Sequence, residues 1–201
     1  MFCLSNMRFH DTLDDVLGNP VRVRLLRILT RNPAQGCTGR DLARRCAISP
    51  SQTIAALEQL ESSGVVFREV AGRSHVWRLS REHVLVPMLT SLFQGERESL
   101  ETLRVELKGA IRNLPVEHAW IFGSVARGDE RPTSDVDFLV QVRTRGEKER
   151  VEASLSAISA QFALRFGNPL STLVVDPAGS RRPSNPGLIE RVLKEGVEVL
   201  D

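Results

Sequence analysis

The sequence predicts an α+β chain in two parts: helices closed by a β-hairpin, then a small mixed α/β domain. Three observations carry this expectation. Apolar residues recur at helical spacing up to residue 63, then alternate as in a pair of short strands. After Pro115, short strand-like and helix-like segments alternate, which sets helices against a sheet. The length of 201 residues accommodates two small domains.

The elements follow in order. Leu13, Val16, Leu17, Val21, Leu25, Leu26 and Leu29 fall at helical spacing. Pro20 suits the first turn of a helix through residues 21–30, where its missing N–H is no loss. Asn32-Pro33 and Gly36 end that helix. Thr38 predicts the N-cap of a short helix over residues 39–46, with Leu42 and Ala43 inward. Ser49 caps a third helix, residues 50–63, with Pro50 in first position and Ile54, Leu57 and Leu60 as its apolar stripe. Gly64 stops it. Residues 65–70 and 75–79 form a predicted hairpin around Ala71-Gly72-Arg73-Ser74. Two helices are expected next, residues 81–93 and 96–113. In the second, Leu100, Leu103, Leu107 and Ile111 make one stripe, read as a core contact ahead of an inter-domain or dimer seam. Then come a strand (118–122), a Gly-Ser turn with a short helix, a strand (135–142), a helix (147–166) and a strand (171–175). A Pro/Gly/Ser-rich loop and a final helix, 186–195, complete the order. The expected division is a domain over residues 11–80, a helical connector over 81–113 and a second domain over 114–201.

Composition narrows the class. Hydrophobic residues make up 41% and charged residues 26%, as in ordinary globular proteins. No run of 18 apolar residues is present, so no transmembrane helix is expected. The N-terminal stretch lacks the pattern of a secretory signal. Cys3, Cys37 and Cys46 have no metal-ligand spacing and read as reduced thiols, so a cytoplasmic location is expected. The net charge of +2 hides an asymmetry. Residues 1–80 carry 11 basic residues, all arginine, against 7 acidic ones; the remainder carries 16 against 18. A basic front half suits a polyanion.

Residues 39–63 read as two helices joined by the tight connection Ala47-Ile48-Ser49. In such a unit the second helix enters the DNA major groove. Its first turn offers Ser49, Ser51, Gln52 and Thr53, small hydrogen-bonding side chains that can approach phosphates and base edges. Gln52 has the amide to pair with adenine N6 and N7. Arg40, Arg44 and Arg45 precede it as phosphate contacts. Arg68, Arg73 and His75 are placed at or near the hairpin tip. The phrases LGNPVRVRLLRILT, TGRDLARRCAISPSQTIAALEQLESSGVV and VWRLS resemble the winged helix-turn-helix domains of small bacterial transcriptional regulators, over residues 11–80. The resemblance implies binding to double-stranded DNA. The two-fold symmetry of most operators predicts a homodimer.

The chemistry sits in WIFGSVARGDERPTSDVDFLV, residues 120–140. Gly123 lets the backbone turn and approach a phosphate closely. Ser124 adds a hydroxyl and an N–H at a helix start, and Arg127 adds charge for phosphates. Asp135 and Asp137, at i and i+2 of a strand, point to one face, while Val136 and Phe138 point to the packed one. Two carboxylates so placed repel unless a cation lies between them. All-oxygen ligands favour Mg²⁺ or Mn²⁺ completed by substrate phosphates.

Gly-Ser-x-x-Arg-Gly followed by Ser-Asp-x-Asp resembles the DNA polymerase beta nucleotidyltransferase superfamily, most closely its minimal nucleotidyltransferase branch. The resemblance spans residues 114–200, including IERVLKEGVEVL. It implies nucleotide-phosphate binding at Gly123 and Ser124 and metal binding at Asp135 and Asp137, with a nucleoside triphosphate as substrate. It also implies a separate helical partner protein, as some relatives of this branch have. Active members carry a third carboxylate on the following strand, which by spacing falls near Thr172. Asp176 is the one nearby acid and is carried as the third catalytic candidate, although it lies toward the strand end. Two readings stay open: a DNA-bound metal-dependent transferase, and a transcriptional regulator whose transferase-like domain only binds nucleotide or a partner protein.

Overall fold

The structure, a computed structural model, describes residue 10 and residues 17–72, 74–131, 133–176 and 186–200. The chain folds into two compact units that meet in sequence at Arg97 and Glu98, with His10 joining the second.

In the first unit, α1 (Pro20–Arg31) starts with Pro20 in its first turn, and the Asn19 side chain accepts the Arg22 N–H at 3.1 Å. An unanticipated two-residue strand, β1 (Cys37–Thr38), follows. Thr38 then caps α2 (Gly39–Cys46) through the Asp41 N–H. Ala47 ends α2 in the left-handed region at φ 53°, and its N–H and that of Ile48 return to carbonyls of α2. Ser49 caps α3 (Pro50–Ser62), with Pro50 in the first turn as expected. The hairpin is β2 (Val66–Ala71) and β3 (Ser74–Leu79), and β1 pairs antiparallel with β3, giving the order β1-β3-β2. Leu25, Leu29, Leu42, Leu57, Trp77 and Leu79 form the buried centre.

One long helix, α4 (Leu85–Ile111), replaces the two expected over residues 81–113. Gly95 does not break it. A helix-interior glycine costs about 1 kcal/mol, less than full burial of Phe93 contributes at about 1.5–3 kcal/mol. Glu96 adds a buried anchor: Arg27 Nε and Nη2 donate to its two carboxylate oxygens at 2.6 and 2.9 Å, with the guanidinium over the Phe93 ring. One arginine of the basic front half is thereby committed to the interior.

The second unit is built on a sheet of order β6-β5-β4-β7. Its strands are β4 (Val116–Phe122), β5 (Val136–Val142), β6 (Leu170–Val175) and the unanticipated two-residue β7 (Val197–Glu198). β4 runs antiparallel to β5 and β7; β5 and β6 are parallel, joined through α6 (Lys148–Phe166). Between β4 and β5 lies the short α5 (Gly123–Arg127), and α7 (Pro186–Glu195) precedes β7. One sheet face buries Ala119, Ile121, Val136, Phe138 and Val140 in a core shared with Leu103, Leu107 and Ile111 of α4 and Val151, Leu155 and Phe162 of α6. The Leu100 to Ile111 stripe is therefore core. On the other face Trp120 and Leu139 pack with Leu188, Ile189 and Val192 of α7. No helix among the described residues is long and apolar enough to cross a membrane.

Candidate functional site

The site lies where β4 passes into α5 opposite the start of β5. Phe122 and Asp137 are register partners, so Gly123 follows directly beside the Asp137 carboxylate. Gly123 has φ +72°, a conformation that side-chain-bearing residues rarely adopt. A Cβ there would collide with Asp137 Oδ2 and lie 3.1 Å from its Cγ. The glycine is required twice over: for the turn into α5, and for the space the carboxylate fills.

Asp135 is exposed just before β5, and Asp137 is half-buried within it. Burial, and then the negative charge of Asp135, push the Asp137 carboxyl above its ordinary value, while Arg127 pulls the other way. The loop that carries Asp135 is tethered at both ends. Ser134 Oγ accepts the Arg131 N–H at 2.9 Å, the Asn168 side chain donates to Ser134 O at 2.7 Å, and Val136 N–H donates to Pro169 O. Ser134 of the Ser-Asp-x-Asp motif thus fastens the turn that presents the acids. Upstream in the same loop, the buried Glu130 carboxylate accepts the His10 N–H at 2.6 Å.

Arg127 at the end of α5 bonds both oxygens of Asp129 at 3.2 Å and lies 4.0 Å from Glu195 of α7. Its proton is held more tightly than usual, first by the hydrogen bond it donates to Asp129 and then by the charges of Asp129, Glu195 and Asp137. Sequence reasoning missed Glu195, because nothing local marks a residue 68 positions away as a neighbour of Arg127. Gly123, Arg127 and Glu195 border a cleft of about 130 Å³ with Phe122, Leu188, Arg191 and Val192.

The third-acid expectation is corrected by strand register. Asp137 pairs with Ser171, and Thr172 pairs with Phe138. Partners across a parallel pair share a face, so Thr172 belongs with Phe138 to the helix-packed side. The face of Asp137 carries Ser171, Leu173 and Val175 on β6. Asp176 follows the strand's last residue and has the parity of Thr172, so β6 does not bring it to Asp135 and Asp137. No set of three or more His, Cys, Asp or Glu residues suited to a metal occurs among the described residues. Among the described residues the paired carboxylates there are those of Asp135 and Asp137.

In the first unit, Arg40, Arg44, Arg45, Ser49, Ser51 and Gln52 are all exposed along α2 and the start of α3. Arg44 and Arg45 both lie against Asp41, at 3.6 Å for Arg45, and Ser49 Oγ donates to Gln52 Oε1 at 2.9 Å. Thr53 is not available to DNA: it is 0% exposed, and its hydroxyl donates to Ser49 O at 3.0 Å. Ile54, expected inward, is 39% exposed; the buried stripe is Thr53, Ala56, Leu57 and Leu60. Arg68 is not at the hairpin tip. It sits mid-strand opposite Trp77, with its guanidinium over that ring at 5.5 Å and Glu61 at 3.6 Å. Arg73 lies outside the described residues.

Residues 106–201 match the family described as polymerase beta, nucleotidyltransferase, and residues 19–66 match the winged helix-turn-helix DNA-binding family. The chain joins a winged helix-turn-helix domain to a nucleotidyltransferase-type domain. Among solved structures it is similar to a MarR family transcriptional regulator from Silicibacter pomeroyi DSS-3, at 20% identity over 50% of this chain and 76% of that one, with a TM-score of 0.38. It is also similar to wild-type Lactococcus lactis ZitR in complex with DNA, at 19% identity over 71% and 74%, TM-score 0.37. A third is the S. aureus MepR–DNA complex, at 18% identity over 50% and 86%, TM-score 0.36. No curated protein matches the sequence.

Proposed function

We propose that this chain is a DNA-binding protein whose second domain binds a nucleoside triphosphate with a divalent cation and transfers its nucleoside monophosphate slowly. The observation that carries the reading is the packing of Asp137 against Gly123 with Asp135 close enough to raise its carboxyl. A desolvated carboxylate beside a second acid is unfavourable on its own and fits a cation. Mg²⁺ or Mn²⁺ suits an all-oxygen set that leaves the remaining positions to substrate phosphates and water. When bound, the ion would neutralise phosphate charge and lower the barrier to attack by a hydroxyl. Gly123 and Ser124 hold the phosphates at the turn, and Arg127 adds charge. In the transfer, an acceptor oxygen bonds to the α-phosphorus, the bond to the bridging oxygen breaks, and pyrophosphate leaves. The acceptor proton must pass to a base.

Ser171, Leu173 and Val175 on the Asp137 face supply no such base. A missing general base typically removes about 10²–10⁴-fold of rate. That observation favours the second reading, a regulator whose domain binds nucleotide or a helical partner protein without turnover.

For the first domain, the exposed Ser49, Ser51 and Gln52 are assigned to the major groove and Arg40, Arg44 and Arg45 to the backbone, with double-stranded DNA bound by a homodimer. Calorimetry of nucleoside triphosphates with and without Mg²⁺, on wild type and Asp137→Asn, tests the nucleotide site. The reading holds if binding needs the cation and is lost in the variant; equal affinities refute it. Mobility shifts over a salt series test the DNA domain: affinity must fall as salt rises.

A further inference from the structure

The cleft between α5 and α7 shares Gly123 and Arg127 with the Gly-Ser-x-x-Arg-Gly motif, while its α7 wall belongs to no motif. Gly123, which touches Asp137, is one of its walls, and Arg127, which feels the Asp137 charge, is another. Its α7 wall adds Arg191. We propose that this cleft seats the polyphosphate of the nucleotide and that Arg191 is its second phosphate-binding cation. The proposal rests on the nucleotide reading given above.

Size points to phosphate rather than base. About 130 Å³ is room for roughly four water molecules at ~30 Å³ each. That suits one or two phosphate groups and is well below the ~300 Å³ at which pockets for larger organic ligands begin. Charge points the same way. Arg127 is bonded to Asp129 through two hydrogen bonds and has Glu195 at 4.0 Å, so two acids already offset its charge. Arg191 differs. Its Nε donates to Gly187 O within its own helix at 3.1 Å, and among the described residues no acid lies within ion-pair distance of it. That bond fixes the stem and leaves the two terminal nitrogens for a ligand. A planar guanidinium with both ends available matches two phosphate oxygens. Phe122, Leu188 and Val192 back the cleft with apolar surface, which strengthens a charge-assisted bond made there.

The test is calorimetric binding of each of the four ribonucleoside triphosphates with Mg²⁺, and competition by inorganic tripolyphosphate, for wild type, Arg191→Ala and Arg191→Lys. Arg191 is exposed, so the variants should unfold at the wild-type temperature; Arg191→Gln replaces Arg191→Ala if that variant does not. Arg191→Ala should weaken triphosphate binding about tenfold or more, in line with a lost hydrogen bond to a charged group. Arg191→Lys should recover part of the affinity. Tripolyphosphate competition should weaken in parallel, while binding of the matching nucleoside should not change. If Arg191→Ala binds triphosphate like wild type while Asp137→Asn loses it, the Arg191 assignment is overturned and the nucleotide reading stands. Equal loss for nucleoside and triphosphate also overturns it. A wild type that binds none of the four removes the nucleotide reading and this proposal with it.

Discussion

Gly123→Ala tests the geometry at its tightest point. Two separate terms follow from the structure. The residue holds φ +72°, and an L side chain in the left-handed region costs about 1–2 kcal/mol. The new methyl would also occupy the place of Asp137 Oδ2. The carboxylate is the end of a side chain, so it can rotate away, but in doing so it leaves the position that faces Asp135. The backbone term alone lowers the melting temperature by about 4–8 °C per kcal/mol for a unit of this size. The rotation term leaves stability nearly untouched and removes cation-dependent nucleotide binding. Scanning calorimetry separates the first effect, and titration with nucleotide and Mg²⁺ reads the second. A variant that melts several degrees lower yet binds nucleotide as well as wild type would show that the Asp137 position in contact with Gly123 is not the binding position. A variant unchanged in both would refute the reasoning entirely.

The remaining predictions are these. Asp137→Asn should stabilise the protein at neutral pH in the absence of cation. The folded-state carboxyl is raised, so it opposes folding above its titration and ceases to do so as pH falls toward 3.8; the gain over wild type, read by denaturant unfolding, should shrink over that range. Ala47→Gly should stabilise the first unit by about 0.5–1 kcal/mol, since glycine relieves a left-handed φ and loses part of that gain to chain entropy. Arg44→Ala with Arg45→Ala should weaken binding to all duplexes and reduce its salt slope, whereas Gln52→Ala should change sequence preference, measured on a panel of fragments. Ser171→Asp or Leu173→Asp should raise nucleotidyl transfer from labelled triphosphate, and Thr172→Asp should not, because only the first two share the face of Asp137.

How far the sequence carried the fold depended on distance along the chain. Caps were legible: Thr38, Ser49 and Pro50 act within a few residues, and each is found in its expected place. The strands β1 and β7 were not, because two residues become a strand only through a distant partner, Trp77 and Val76 for one, Trp120 and Ile121 for the other. In α3, Leu57 and Leu60 face the core as expected, and Ile54 does not. A threonine that bonds its own helix at Ser49 O carries no unmet polar group inward, so Thr53 replaces Ile54 in the core. The Gly-Ser and Asp-x-Asp motif shows the same limit. Asp135 and Asp137 lie two residues apart at the start of β5, and Gly123 begins the turn that leaves the preceding strand, so local spacing marks each of them. The third position depends on the register between β5 and β6, and a slip of one residue exchanges the two faces.

The placement of Asp137 and Gly123 argues for what the site does. Asp137 is half-buried beside a like charge, and Gly123 is held in the left-handed region against it. The half-buried carboxylate opposes folding, whereas glycine adopts its left-handed φ without strain and leaves the space that the carboxylate fills. Both fall at one corner of the sheet, next to a cleft with an arginine on each wall. A docking surface for a protein partner needs none of this, since it is better served by apolar contact with satisfied hydrogen bonds. A site for a metal-bound polyphosphate needs all of it: paired acids for the cation, a backbone without Cβ for close approach, and cations for the phosphates. Among the described residues β6 brings no third carboxylate to the face of Asp137, where Ser171 and Leu173 stand. On the proposed reading the features present would serve binding and positioning, and a third carboxylate would serve the rate of the chemical step. Nucleotide affinity and turnover should therefore separate in this protein, with the first intact and the second low.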